Sequence, residues 1–147
     1  IVDSFGGCAY ALMSLINAIR SSKLPVATIV EGKAMSSGAI LFSCGTPGHR
    51  YMAPDATLMI HDVSSSANGK SGEVEADSNE TKRINLTIHQ MLARNCGQDD
   101  NYFLDMIHEH GHSDLYLTAE MCKEHGIADH LRVPAMRTKV SVTHEFG

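Results

Sequence analysis

Apolar and polar residues follow two patterns along the chain, one typical of strands and one typical of helices. The segment 26–30 is short and rich in β-branched residues, as expected for a strand buried on both faces of a parallel sheet. Apolar residues recur at helical spacing between 12 and 19, before this strand. The pattern predicts strands at 1–2, 26–30, 50–52, 57–61 and from 127 onwards, helices at 8–19, 39–44, 100–110 and 119–125, and a turn of small residues at 32–38. Strands that alternate with helices in this way predict an α/β fold.

A long polar helix is predicted at 73–96, where apolar residues are sparse. Its first half, 73–82, has almost no apolar face. A helix of this kind usually projects from the body of a protein or packs against another subunit. Gly97 follows it and fits the C-terminal cap of the helix.

Composition excludes several classes of protein. The chain has 147 residues, about one domain, of which 43% are hydrophobic and 20% charged, so it is neither disordered, nor collagen-like, nor a coiled coil. The net charge of −5 and an aromatic content of 5% argue against nucleic acid as a partner, because phosphate binding needs clustered positive charge.

The cysteines and the apolar runs predict a cytoplasmic or other intracellular protein without a membrane partner. The four cysteines are far apart and form no Cys-x-x-Cys pair, which is typical of reduced thiols. The longest apolar run, 24–30, is much shorter than a membrane span.

Three short segments contain candidate catalytic residues. Ser36 lies in a run of small residues between a predicted strand and a predicted helix, which would expose its hydroxyl at a helix N-terminus; such runs are also common packing devices. His61 ends an apolar strand, and it either faces a site or is a satisfied core histidine. Gly6 and Gly7 follow the first strand, where they either allow a backbone N–H to approach an oxyanion or simply make a turn.

Four motifs in order resemble the Clp (caseinolytic) protease proteolytic subunit family. The family's Ser-Pro-Gly-Gly is matched by Ser4-Phe5-Gly6-Gly7, its Gly-x-Ala-x-Ser-x-Gly by 32–38, its Gly-x-x-Gly-x-Arg-x-x-x-Pro by Gly45, Gly48, Arg50 and Pro54, and its Met-Ile-His by Met59-Ile60-His61. The match needs no gap between 6 and 98.

The resemblance implies a serine endopeptidase with a Ser-His-Asp triad. Ser36 would be the nucleophile and His61 its general base, with the backbone N–H groups of Gly7 and Ser37 as the oxyanion hole. The family's acid precedes an aromatic, aliphatic, Ser/Thr and Ala pattern, which Asp114 approximates.

Two other carboxylates are alternatives for the acid. The stretch 98–114 is longer than in the family, which keeps Asp62 and Asp105 as substitutes for Asp114. Asp62 also directly follows His61, where it could compete for the N–H of the imidazole ring.

The resemblance further implies an architecture and an assembly. We expect a Clp/crotonase-like superhelix of ββα units in one peptidase domain, residues 1–147, which lacks the family's N-terminal segment. The helix at 73–96 would be the projecting handle that interlocks two heptameric rings. Unfolded polypeptides would be cleaved inside the ring chamber, an ATP-driven AAA+ unfoldase would be the partner, and no cofactor is needed.

Four alternatives are weighed against this interpretation. The chain could be a catalytically inactive structural ring subunit, a phage-type capsid maturation peptidase of the same fold, or an acyl-CoA enzyme of the crotonase superfamily. His108, His110 and His112 alternate and could ligate a transition metal. Because no matching carboxylate or cysteine pattern is evident, a solvated histidine-rich loop without metal is the favoured interpretation.

Overall fold

The chain folds into a mixed five-stranded sheet with helices packed around it. The computed structural model describes residues 1–135, 137, 139–140 and 142. The strands are β1 (Val2–Ser4), β2 (Thr28–Met35), β3 (Arg50–Met52), β4 (Thr57–Ile60) and β5 (Leu115–Leu117), and the helices are α1 (Ala9–Ser21), α2 (Ser37–Ser43), α3 (Ser71–Asn95), α4 (Tyr102–Glu109) and α5 (Ala119–Glu124). The predicted α/β class is confirmed.

The strand β2 is the centre of the sheet. It pairs in parallel with β1, with β3 along its first half and with β4 along its second half. The strand β5 returns antiparallel on the other side of β4. Since β2 and β4 are parallel neighbours, the residues that follow them emerge at the same edge of the sheet.

The core lies where the sheet meets α1, α2 and α3. Val30, Phe42, Leu58 and Leu92 are fully buried there, and each such side chain contributes about 1.5–3 kcal/mol relative to its exposed state.

A buried ion pair joins the start of β3 to the segment after α5. Arg50, only 6% exposed, donates to both carboxylate oxygens of Asp129, at 2.9 and 2.6 Å. Its third bond, 3.0 Å to the carbonyl of Asn95, satisfies the C-terminal end of α3. The oxygen Oδ2 of Asp129 also accepts from the backbone N–H groups of Gly48 and Arg50.

Two predictions about the strands and turns are wrong, and one strand was not predicted. The predicted turn at 32–38 is wrong over its first half, because β2 continues to Met35; Ala34 is fully buried there, between partners in β1 and β4. The predicted strand from 127 is wrong over the described residues, where only an isolated bridge joins Tyr51 to His130. The strand β5 was not predicted, since three residues are too few to show a period.

The helix α3 divides into an exposed half and a packed half. Residues 71–79 are all exposed, whereas its buried residues lie between Ile84 and Ala93. The predicted polar first half is thereby confirmed, and Gly97 follows the helix with a φ of +71°. Two expectations stay predictions: that α3 is the projecting handle, and that the chain forms a superhelix of ββα units. Along the described part of the chain, none of the helices has the length and apolar character that crossing a membrane requires.

Candidate active site

Ser36 occupies a strained turn between β2 and α2. Its φ of 54° and ψ of −121° lie in a region that non-glycine residues rarely adopt, at a cost of about 1–3 kcal/mol. The turn is held by the N–H of Ser36, which donates to the carbonyl of Met59 at 2.8 Å, and by its carbonyl, which accepts from Ala39 at 3.0 Å. The sharp turn presents the hydroxyl at the edge of the sheet.

His61 follows β4 and reaches Ser36 across this edge. The register pairs Met35, the last residue of β2, with Met59 near the end of β4, so Ser36 lies beside the end of β4, which His61 follows. Nε2 of His61 is 2.9 Å from Oγ of Ser36, which is hydrogen-bonding distance. The structure therefore brings together the predicted nucleophile and the predicted base.

Asp114 is brought to the other ring nitrogen of His61 by β5. The antiparallel register pairs Ile60 with Leu115, which places residue 114 opposite residue 61. Oδ1 of Asp114 lies 3.7 Å from Nδ1 of His61, and the Asp114 side chain is 51% exposed. This distance is within ion-pair range but longer than a hydrogen bond.

The two alternative acids are placed elsewhere. Oδ1 of Asp62 accepts from Asn85 at 2.7 Å, and its Oδ2 is 2.8 Å from Nδ1 of His112. Burial would raise the pKa of Asp62, but the bonds from His112 and Asn85 hold this pKa below its ordinary value. Asp105 lies in the first turn of α4. Within the described ranges, the carboxylate that faces the ring of His61 is that of Asp114.

The predicted oxyanion donors lie next to Ser36. Gly6 must be glycine, because a Cβ there would be 2.6 Å from Cβ of Ser36 and its φ is +103°. The hydroxyl of Ser37 donates to the carbonyl of Gly7 at 2.9 Å, which ties the glycine turn to the start of α2. The first N–H groups of a helix have no partner within the helix, and Ser37 is the first residue of α2.

Comparison with known protein families matches residues 1–134 to the Clp protease family. The chain belongs to the Clp protease family. The resemblance deduced from the four motifs is confirmed, and the matched range includes Ser36, His61 and Asp114. A member of this family is a peptidase and therefore a hydrolase, and Clp proteases generally assemble into oligomeric rings.

A cleft of about 330 Å³ opens beside Ser36 and His61 in this Clp family member. It lies between the start of α1, the start of α2 and the middle of α3, and the segment 63–66 borders it. Its lining is partly apolar and includes Ile40, Ile60, Ile84 and Ile88. Such a cleft can hold a side chain of a peptide next to the serine hydroxyl.

Sequence reasoning missed two titratable residues of the cleft. His89 is 1% exposed, with Nδ1 2.8 Å from the carbonyl of Asn85, and burial lowers its pKa; its position on the apolar face of α3 was the available signal. Cys8 is exposed at the start of α1, where the backbone N–H groups of Ala11 and Tyr10 lower the pKa of its thiol.

Proposed function

We propose that this Clp family member is a serine endopeptidase that hydrolyses unfolded polypeptides through Ser36, His61 and Asp114. The observation that carries the proposal is the 2.9 Å separation between Nε2 of His61 and Oγ of Ser36. A serine hydroxyl is a weak nucleophile until an adjacent base accepts its proton, and His61 is within reach to do so.

The geometry supports a division of roles. Oγ of Ser36 attacks the peptide carbonyl while Nε2 of His61 takes its proton, which the imidazolium then gives to the leaving amine. Asp114, 3.7 Å from Nδ1, keeps the ring proton on that nitrogen and stabilises the imidazolium. The N–H groups of Gly7 and Ser37 bind the oxyanion. Water then hydrolyses the acyl-enzyme by the same steps.

The first test is the intact mass of the protein after exposure to a fluorophosphonate. We expect one adduct per chain, mapped to the peptide that contains Ser36, and none on the Ser36→Ala variant. Ser14→Ala, which removes an exposed hydroxyl on α1, is the matched control and should label like the parent. Absence of an adduct from folded, oligomeric parent protein would favour the inactive structural subunit instead.

We also propose that the peptidase works inside a ring, as a heptamer or as stacked heptamers. The support is membership of a family that generally forms rings, together with the exposed polar half of α3, residues 71–79, which is typical of a helix that projects or packs on another subunit. Mass photometry should give a multiple of the 15.9 kDa chain near seven or fourteen; a monomer would contradict the ring.

The family resemblance makes an AAA+ unfoldase the partner that delivers substrate. Degradation of a stably folded protein should then need ATP and the unfoldase, whereas a short peptide should be cleaved without either. ATP-independent degradation of the folded protein would argue against this part of the proposal.

A further inference from the structure

Three side chains from separate segments converge beside the His61–Asp114 pair. Asp62, His108 and His112 each offer one ligand atom, and these atoms all lie within 4.8 Å of one another. Asp62 follows β4, His108 lies in the last turn of α4, and His112 lies in the turn before β5. The local sequence shows three alternating histidines, and folding brings the carboxylate of Asp62 to two of them from a distant segment.

The turn after α4 is shaped to bring the two histidines together. Gly111 and His112 both adopt left-handed backbone conformations, with φ of +75° and +57°, and the N–H of His112 donates to the carbonyl of Ile107 at 3.0 Å. As a result, the rings of His108 and His112 lie with their centroids 4.3 Å apart. Non-glycine residues rarely adopt this conformation, so the turn holds His112 in an unusual backbone geometry.

The carboxylate is held in place by a second contact. Asn85 on α3 donates to Oδ1 of Asp62 at 2.7 Å, while Oδ2 is 2.8 Å from Nδ1 of His112. Ligands in metal sites are commonly oriented by such outer hydrogen bonds. The oxygen that faces the histidines is therefore fixed in direction before any ligand binds.

The chemistry of these three side chains determines which metal ions they can bind. Two imidazoles and one carboxylate suit Zn²⁺ and similar divalent transition metals, whereas Mg²⁺ and Ca²⁺ prefer oxygen ligands alone. Asp62 is half-buried and the two histidines are exposed, so an ion can enter from solvent and keep water as a further ligand.

We propose that this chain binds one divalent transition-metal ion, with Zn²⁺ as the reference case, through Asp62, His108 and His112. The ion links the end of β4, the end of α4 and the turn before β5. It thus joins the segment that carries His61 to the segment that carries Asp114. The site does not depend on the peptidase proposal, because binding can be measured on the Ser36→Ala variant as well.

The test is calorimetric titration of the chelator-treated chain with ZnCl₂ alone. We expect one ion per chain, and removal of one ligand in His108→Ala should weaken binding by about tenfold or more. His110→Ala removes an exposed histidine of the same segment that is outside the cluster, and it should bind as the parent does. MgCl₂ in excess should not compete.

A second measurement guards against a variant that fails to fold. The thermal unfolding midpoint should rise with ZnCl₂ in the parent and in His110→Ala, because a ligand that binds the native state stabilises it. At the same ZnCl₂ concentration the midpoint should rise clearly less in His108→Ala and in Asp62→Asn. Absence of one-to-one binding by the parent, or equal loss in His110→Ala and His108→Ala, would overturn the site.

Discussion

The contribution of Asp114 to the reactivity of Ser36 can be worked out from the separation of two charges. Asp114→Asn keeps the shape of the side chain and removes the charge that lies 3.7 Å from Nδ1 of His61. At this distance the attraction between a carboxylate and an imidazolium is about 1 kcal/mol in water and about 4–5 kcal/mol at the intermediate permittivity of a protein surface.

The exposure of the pair decides where the effect falls between these limits. The side chain of Asp114 is 51% exposed and that of His61 is 25% exposed, so water screens much of the attraction. Because each 1.4 kcal/mol changes a rate about tenfold, we expect Asp114→Asn to slow the reaction by about 10- to 100-fold. In a buried triad with a closed hydrogen bond, the same change costs about 10⁴-fold.

The assay is the second-order rate of fluorophosphonate labelling at Ser36, followed by intact mass, together with hydrolysis of a short peptide. Asp105→Asn is the matched control, because it removes an acid on α4 that was an alternative in the sequence; it should react within about twofold of the parent. An unchanged rate in Asp114→Asn would refute its role. A loss near 10⁴-fold would show that, in the working enzyme, Asp114 is closer to His61 and less exposed to water than in this structure.

Three further predictions concern the packing and the cleft. Asp129→Ala leaves the Arg50 guanidinium, 6% exposed, without its carboxylate, so urea denaturation should show a loss of about 3 kcal/mol, and an unchanged midpoint would contradict the pairing. Iodoacetamide should alkylate exposed Cys8 before Cys96, because burial raises the pKa of Cys96 to about 12; equal labelling by peptide mapping would disprove this. Burial lowers the pKa of His89 below 6.5. The neutral, buried ring therefore stabilises the fold fully above pH 6.5, and this stabilisation is lost as the pH falls below that value. His89→Gln should therefore lose less thermal stability than the parent between pH 7 and pH 5, and parallel losses would refute the assignment.

The positions of the proposed nucleophile and base were predictable because two short motifs, which contain Ser36 and His61, end at the same edge of the sheet. A strand followed by a small-residue turn and a helix is a local pattern, and His61 directly follows β4, which pairs with the second half of β2. The extension of β2 to Met35 was not predictable, since Ala34 is held in the strand by partners on both sides. Tertiary pairing of this kind overrides the preference of small residues for turns.

The proposed metal ligands were not predictable as a set for a different physical reason. Local spacing groups the three alternating histidines, but His110 lies outside the cluster that the structure forms. The sequence suggested that Asp62 could compete for the ring N–H of His61. In the structure its carboxylate instead contacts Asn85 and His112. Only the return of the chain after α4 brings these groups together, and nothing in the local pattern specifies that return.

One strand register accounts for both sites. The pairing of Ile60 with Leu115 puts residue 114 opposite residue 61, and it brings the residues just before 114 to residue 62. A slip of one residue would turn the side chains of β5 to the opposite face, which would move Asp114 away from His61 and His112 away from Asp62 together. The segment between α4 and β5 can therefore change in length only if it preserves this register, because the same pairing sets the acid and the histidine beside it.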